Sequence, residues 1–205
     1  MSENTLPEQY WIDRDGLAGV NDGPTPQARV YEEIAKRVVE LGATKVLDLG
    51  CNIGALFFYL VKAGYTAKYE GIDSNPKAVE FAKSYHPANA GFNVGNLRDT
   101  KLRGKSQDVV VIKDVIEHLE SAALLQDAFQ IAKRYVIIST NIPFTNEVSD
   151  RIERTAAGYY LNAYTQGTVK AIALENEFWP KGMALISDDL NRENQVWVFE
   201  RVAAK

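Results

Sequence analysis

The chain has 205 residues, 46% apolar and 24% charged, with a formal net charge of −4. That size and composition suit one globular domain with a full core, or two small ones. No apolar run is long enough to span a bilayer, the single cysteine, Cys51, allows no internal disulfide, and the acidic balance gives no global pull towards nucleic acid or an anionic membrane.

Met1 to Glu8 is polar and lacks the basic start and apolar centre of a signal peptide. With one cysteine, a reducing cytoplasm is the expected compartment. Residues 1 to 25 are turn-rich (Asp15-Gly16, Asp22-Gly23, Pro24), with Tyr10 and Trp11 as aromatic anchors, and read as an N-terminal arm. Thr25-Pro26 is a helix start, Val30, Ile34, Val38 and Leu41 recur at helical spacing, and Gly42 closes the helix. Arg29, in its first turn, is either a ligand-carboxylate partner or simply solvated.

Val46, Leu47 and Leu49 form a short apolar run suited to a buried parallel strand, ending at Asp48. The chain then turns through Gly50 and Gly54 into a helix from Ala55 to Val61. Tyr69 to Asp73 reads as the second strand, and Ser74-Asn75-Pro76 opens the next helix, which ends at His86-Pro87. Gly91 to Val94 is a short third strand followed by Gly95-Asn96-Leu97. Val109 to Lys113 is the most strand-like run, and the helix after it is expected to reach about Arg134. Tyr135 to Asn141 is the fifth strand. Ile142 to Tyr164 is a long connection rich in tyrosine, and connections of that length in compact domains are usually functional. Thr165 caps a last helix. Met183 to Ser187 and Gln195 to Val202 read as an antiparallel hairpin around a polar turn. The expected fold is α/β: a doubly wound, seven-stranded, mostly parallel sheet with an antiparallel C-terminal hairpin and helices on both faces. Residues 26 to 205 are expected to be one domain.

A strand, a glycine turn and a helix make half of a nucleotide-binding βαβ unit. A dinucleotide fingerprint places a second glycine where this chain has Asn52, and a carboxylate at Asp48 repels phosphate. A cofactor with a positive centre and no phosphate fits better. Asp73, 23 residues past Gly50 at the end of the neighbouring strand, can accept both hydroxyls of a ribose. The alternative role is a helix-capping carboxylate, which Ser74 or Asn75 can fill instead.

Asp48-Leu-Gly-Cys-Asn-Ile-Gly54, together with Asp73, resembles the first motifs of the class I S-adenosylmethionine (SAM)-dependent methyltransferases, with Asn52 departing from the middle glycine. The resemblance covers residues 26 to 202. It implies a SAM site built from Asp48, Gly50, Cys51, Asn52, Gly54, Asp73, Ser74, Asn96, Leu97 and Lys113, with Asn96 at the position that reads adenine and Lys113 contributing backbone. It also implies that the N-terminal arm folds over the cofactor. Methyl transfer mainly needs donor and acceptor aligned with water excluded, and a base only where the acceptor's proton must leave early. Asp114, Glu117 and His118 share a face if their segment is helical. Asp114 and Tyr160 are the candidate catalytic residues. Tyr159, Asn162 and Tyr164 are the candidate acceptor contacts, in a segment that resembles the one before the last helix of small-molecule methyltransferases. Glu117 is expected to cap the helix and His118 to pack under the sheet. Asp-x-x-Glu-His also resembles a metal-ligand pattern of some RNA 2′-O-methyltransferases. That pattern needs a further downstream histidine, and the chain has only His86 and His118, so no metal is expected. The leading expectation is methyl transfer from SAM to O or N of a small molecule, by a monomer or homodimer with no membrane and no nucleic acid. The alternatives are an RNA or other polymer-end methyltransferase, a NAD-type reductase, or a non-catalytic nucleotide-binding module.

Overall fold

The computed structural model describes residues 27–86, 90–97, 102, 104–188 and 191–202. The expected arm, with Tyr10, Trp11 and the Thr25-Pro26 helix start, lies outside them. The described chain runs α1 (Ala28–Glu40), β1 (Lys45–Leu49), α2 (Ala55–Lys62), β2 (Lys68–Asp73), α3 (Pro76–Tyr85), β3 (Ala90–Val94), β4 (Gln107–Lys113), a 3-10 turn (Ile116–His118), α4 (Ala123–Ile131), β5 (Ala132–Thr140), α5 (Gln166–Glu175), β6 (Phe178–Ser187) and β7 (Glu193–Arg201).

The seven strands form one sheet in the order β3-β2-β1-β4-β5-β7-β6. The first five are parallel, while β7 runs antiparallel to both β5 and β6. Successive units wind from β1 outward to β3, and the chain then returns to place β4 on the other side of β1. The strand order therefore reverses between β1 and β4, and in open α/β sheets that crevice is where ligands bind. Strand alternation divides the core. Leu47, Leu49, Val110, Ile112, Val136 and Ile138 pack under α4 and α5, while Val46, Val109, Val111 and Ile137 pack under α1, α2 and α3.

Three boundaries differ from expectation. The fourth helix stops at Ile131 rather than near Arg134, because Ala132 already pairs with Gln107 and the chain enters β5 without a loop. The segment from Asp114 is not a helix. Asp114 has φ +52° and only Ile116–His118 makes a 3-10 turn, so Asp114, Glu117 and His118 do not share a helical face. The terminal strands are longer than the sequence suggests, since Pro180 sits at a register shift on the edge strand, where its missing N–H breaks no ladder.

Candidate functional site

Three residues of the turn after β1 have left-handed backbone: Gly50 (φ +87°), Asn52 (φ +48°) and Gly54 (φ +80°). A Cβ on Gly50 would lie 2.2 Å from Val115 Cγ2, so glycine is required there both by conformation and by the close approach of the β4 turn. Nearly all of this turn's amides are used internally. Gly50 and Cys51 N–H donate to Ile72 O at 2.8 and 3.1 Å, and Gly54 N–H donates to Cys51 O at 2.9 Å. Asn52 N–H donates to Asp73 Oδ2 at 2.8 Å. His86 Nε2 lies 3.2 Å from Ile53 O and its ring stacks on Phe92, closing the turn from below.

Asp73 ends β2 beside this turn. Its second oxygen, Oδ1, accepts from Asn75 N–H at 2.8 Å. The helix cap proper is Asn75, whose side chain accepts from Lys77 and Ala78 N–H. Burial pushes the Asp73 carboxyl above its usual value, opposed by the N–H groups of Asn75, Asn52 and Ser74. Asp48, in β1, is buried and accepts from the Tyr69 hydroxyl at 2.7 Å. Burial pushes its carboxyl up to about 7 against that hydrogen bond. Cys51 is buried, and its thiol is likewise raised by burial.

The end of β4 supplies the facing wall. Lys113 Nζ donates to Asp114 Oδ2 at 2.7 Å and to Gln27 Oε1 at 2.6 Å, and lies 4.4 Å from the centre of the Tyr31 ring. Gln27 Nε2 donates to the same Asp114 oxygen at 2.7 Å. Gln27 and Tyr31 thus join the entry of α1 to the switch point. The other Asp114 oxygen, Oδ1, is buried and without a hydrogen-bond partner among the described residues. The side chain of Lys113, rather than its backbone alone, is therefore part of this wall.

Glu117 and the long connection complete it. The connection doubles back on itself through bridges Arg151–Ala163 and Arg154–Tyr160. It docks on the 3-10 turn: Asn162 N–H donates to Glu117 O at 2.8 Å, Asn162 Nδ2 donates to Leu119 O, and His118 Nδ1 lies 3.0 Å from Tyr160 O. Glu117 caps no helix. Its side chain reaches Thr140 Oγ1 at 3.2 Å, and burial, then the charge of Asp114, push it up to about 8. His118 faces the connection rather than the underside of the sheet, with Tyr159 edge-on to its ring.

The structure therefore gathers Asp48, Gly50, Cys51, Asn52, Gly54, Asp73 and Ser74 on one side of the crevice and Lys113 and Asp114 on the other. Asn96 is exposed beyond β3, and Leu97 is buried in the core against the α4 face. Tyr159 and Tyr160 are half-buried. Asn162 and Tyr164, expected as acceptor contacts, are 1% and 2% exposed and serve the packing of the connection itself. Gln27, Tyr31, Tyr69, His86 and Glu117 belong to the site or its frame without having been singled out for those roles. Only the i, i+4 spacing of Gln27 and Tyr31 hinted that they share a face.

Residues 46–136 match a family model described as a methyltransferase domain. No curated protein matches the chain. Among solved structures, magnesium protoporphyrin IX methyltransferase from Synechocystis PCC 6803 with bound SAM is similar at 19% identity and a TM-score of 0.74, over 98% of this chain and 100% of that one. Burkholderia thailandensis 1,6-didemethyltoxoflavin-N1-methyltransferase, with bound 1,6-didemethyltoxoflavin and S-adenosylhomocysteine, is similar at 15% identity and a TM-score of 0.67, over 98% of this chain and 93% of that one. An S-adenosylmethionine-dependent methyltransferase from Mesorhizobium loti is similar at 16% identity and a TM-score of 0.64, over 86% of this chain and 98% of that one.

Proposed function

We propose, from the class I, Rossmann-like methyltransferase fold and the match of residues 46–136 to a methyltransferase-domain model, that the chain transfers a methyl group from SAM to an oxygen or nitrogen of a small molecule. The observation that carries this is the saturation of the β1 turn. Its Gly50, Cys51, Asn52 and Gly54 amides are all committed to Ile72, Asp73 or Cys51, which leaves little to cradle a pyrophosphate. Asp73, with the buried carboxyl of Asp48 behind it, whose ionised form a nearby cation favours, stands where a phosphate would be repelled and a positively charged, phosphate-free nucleoside is attracted. Bound SAM supplies an electrophilic methyl group on a sulfonium, already a good leaving group.

The chain's own residues then have four tasks. Asp73 keeps lone pairs for ribose hydroxyls while bracing Asn52 and Asn75. Asp48 places a carboxyl near the positive part of the cofactor. Lys113, Gln27 and Tyr31 hold Asp114 still, so that its unpartnered Oδ1 can receive a hydrogen bond or a proton from the acceptor. Tyr159 and Tyr160, on the docked connection, shape the acceptor side and exclude water. The described residues contain no helix long and apolar enough to cross a membrane. The reading is tested by incubating the protein with methyl-labelled SAM and a panel of small phenols, carboxylates, amines and heteroaromatic nitrogens. Labelled product with release of S-adenosylhomocysteine is expected from at least one class. No SAM binding at all would overturn it.

A further inference from the structure

Glu117 differs from the other buried carboxylates of the site. Asp48 has Tyr69, and Asp114 has Lys113 and Gln27. Glu117 is 1% exposed and, among the described residues, makes no ion pair and leaves Oε2 buried without a partner. Among the described residues its carboxyl meets one other side chain by hydrogen bond, Thr140 Oγ1, and Thr140 has a single proton to give. That hydroxyl lies 2.9 Å from Ile142 O, which it can serve as donor, and accepts from Ile142 N–H at 3.1 Å. All three contacts hold together only when Glu117 is the donor: the glutamic acid proton to Thr140, and the threonine proton to Ile142 O. An ionised Glu117 takes the threonine proton for itself and strips Ile142 O of its partner.

Ile142 begins the long connection, and Asn162, near its end, donates its backbone N–H to Glu117 O. Glu117 therefore meets the segment that carries Tyr159 and Tyr160 at both ends, the first through Thr140 and the second through its own backbone carbonyl. We propose that Glu117 is a positioning residue for this segment: its backbone carbonyl holds the second end, its neutral carboxyl fastens the first through Thr140, and loss of that proton loosens the first. The importance of the segment for catalysis rests on the methyltransferase reading above; the fastening does not.

The groups facing Glu117 are Asp114 and Lys113 from the end of β4, Thr140 from β5, and Tyr164 from the connection, with His118 beside it on its own turn. Burial, then Asp114, raise its carboxyl to about 8; its own backbone N–H, Thr140 as donor to the ionised form, and Lys113 oppose them. Tyr164, itself raised to about 12, stays neutral throughout. The sign follows from linkage. The fastened state holds the proton more tightly than the loosened one. Its advantage is complete below the ordinary carboxyl range and declines as pH rises to about 8, above which nothing more is lost.

Trypsin reads the segment directly, because Arg151 and Arg154 lie exposed within it. Cleavage there is compared between wild type and Glu117→Gln at each pH, so that the protease's own pH profile cancels. The glutamine keeps a neutral donor to Thr140. The ratio of wild-type to E117Q cleavage is expected to rise roughly tenfold or more between about pH 6 and pH 8 and then level off. A ratio that stays constant across that span overturns the proposal. Thr140→Val provides a second route: cleavage at about pH 6 should exceed wild type severalfold, and wild-type behaviour in T140V also overturns it. Calorimetry with SAM on the same samples separates the two claims. A wild type that fails to bind SAM removes the methyltransferase reading and leaves the proteolysis result standing. Intact SAM binding with a flat ratio removes the fastening alone.

Discussion

The turn after β1 and the turn after β4 stand side by side at the switch point, yet they are built in opposite ways. The β1 turn closes its hydrogen bonds within itself and against β2: Gly50 and Cys51 to Ile72, Gly54 to Cys51, and Asn52 to Asp73. The β4 turn leaves polar atoms open. Asp114 sits at φ +52°, an uncommon conformation for a residue with a side chain, and its Oδ1 and the Oε2 of Glu117 are both buried without hydrogen bonds among the described residues. A satisfied turn holds one shape and one ligand class. An unsatisfied one is a place where an incoming group completes the structure. On the proposed function, the first turn serves the cofactor and the second the acceptor.

The severest way to break the contrast is at Gly50. Gly50→Ala forces a Cβ to within 2.2 Å of Val115 Cγ2 at φ +87°, wedging the two turns apart. A loss of about 2–4 kcal/mol of stability is expected, from left-handed strain and overpacking together, with no measurable SAM binding. Urea denaturation and calorimetry read the two effects. Asp73 comes next. Asp73→Ala should weaken SAM binding by about 1.5–3 kcal/mol, the scale of lost charge-assisted hydrogen bonds. Asp73→Asn should be nearly as damaging, because each oxygen accepts a backbone N–H and an amide nitrogen on either side faces a donor. Unchanged affinity in both variants would reduce Asp73 to a brace for the turn.

A smaller effect separates the two turns cleanly. Tyr160→Ala should leave SAM affinity nearly intact while turnover falls at least tenfold, about 1.4 kcal/mol of barrier. Equal losses in both would mean that the connection covers the cofactor instead. The gentlest test concerns Asp48. Its carboxyl is raised to about 7 by burial, so the native state gains from holding that proton. The stabilisation is complete below the ordinary carboxyl range and is lost as pH rises through about 7. Asp48→Asn, whose amide oxygen still accepts from Tyr69, should flatten the stability–pH profile over that window. A profile identical to wild type would place the titration elsewhere.

The same contrast explains what could be read from the sequence. The cofactor turn is local. Glycines at left-handed positions, an acid at the end of each of two strands and a capping Asn-Pro lie within about thirty residues, so spacing alone carried the geometry. The parallel order and the terminal hairpin were legible for the same reason, from apolar runs bounded by turn residues. The acceptor side is assembled at long range. Gln27 reaches Asp114 across 87 positions and Asn162 reaches Leu119 across 43, and no periodicity records such contacts. The Asp114–His118 stretch has the composition of a helix start, but the docking of the long connection and the approach of Val115 to Gly50 hold it as a tight turn. Tyrosines 159, 160 and 164 look alike in sequence. Packing alone distinguishes the buried Tyr164 from the two half-buried ones.

On the proposed function, the crevice at the β1–β4 switch point takes a phosphate-free, positively charged nucleoside rather than a dinucleotide. Isothermal calorimetry with SAM, S-adenosylhomocysteine and NAD on the wild-type protein tests it most directly. Micromolar-scale binding of SAM and its demethylated product, with no heat from NAD, is the expected result. Binding of NAD with no signal from SAM would contradict it.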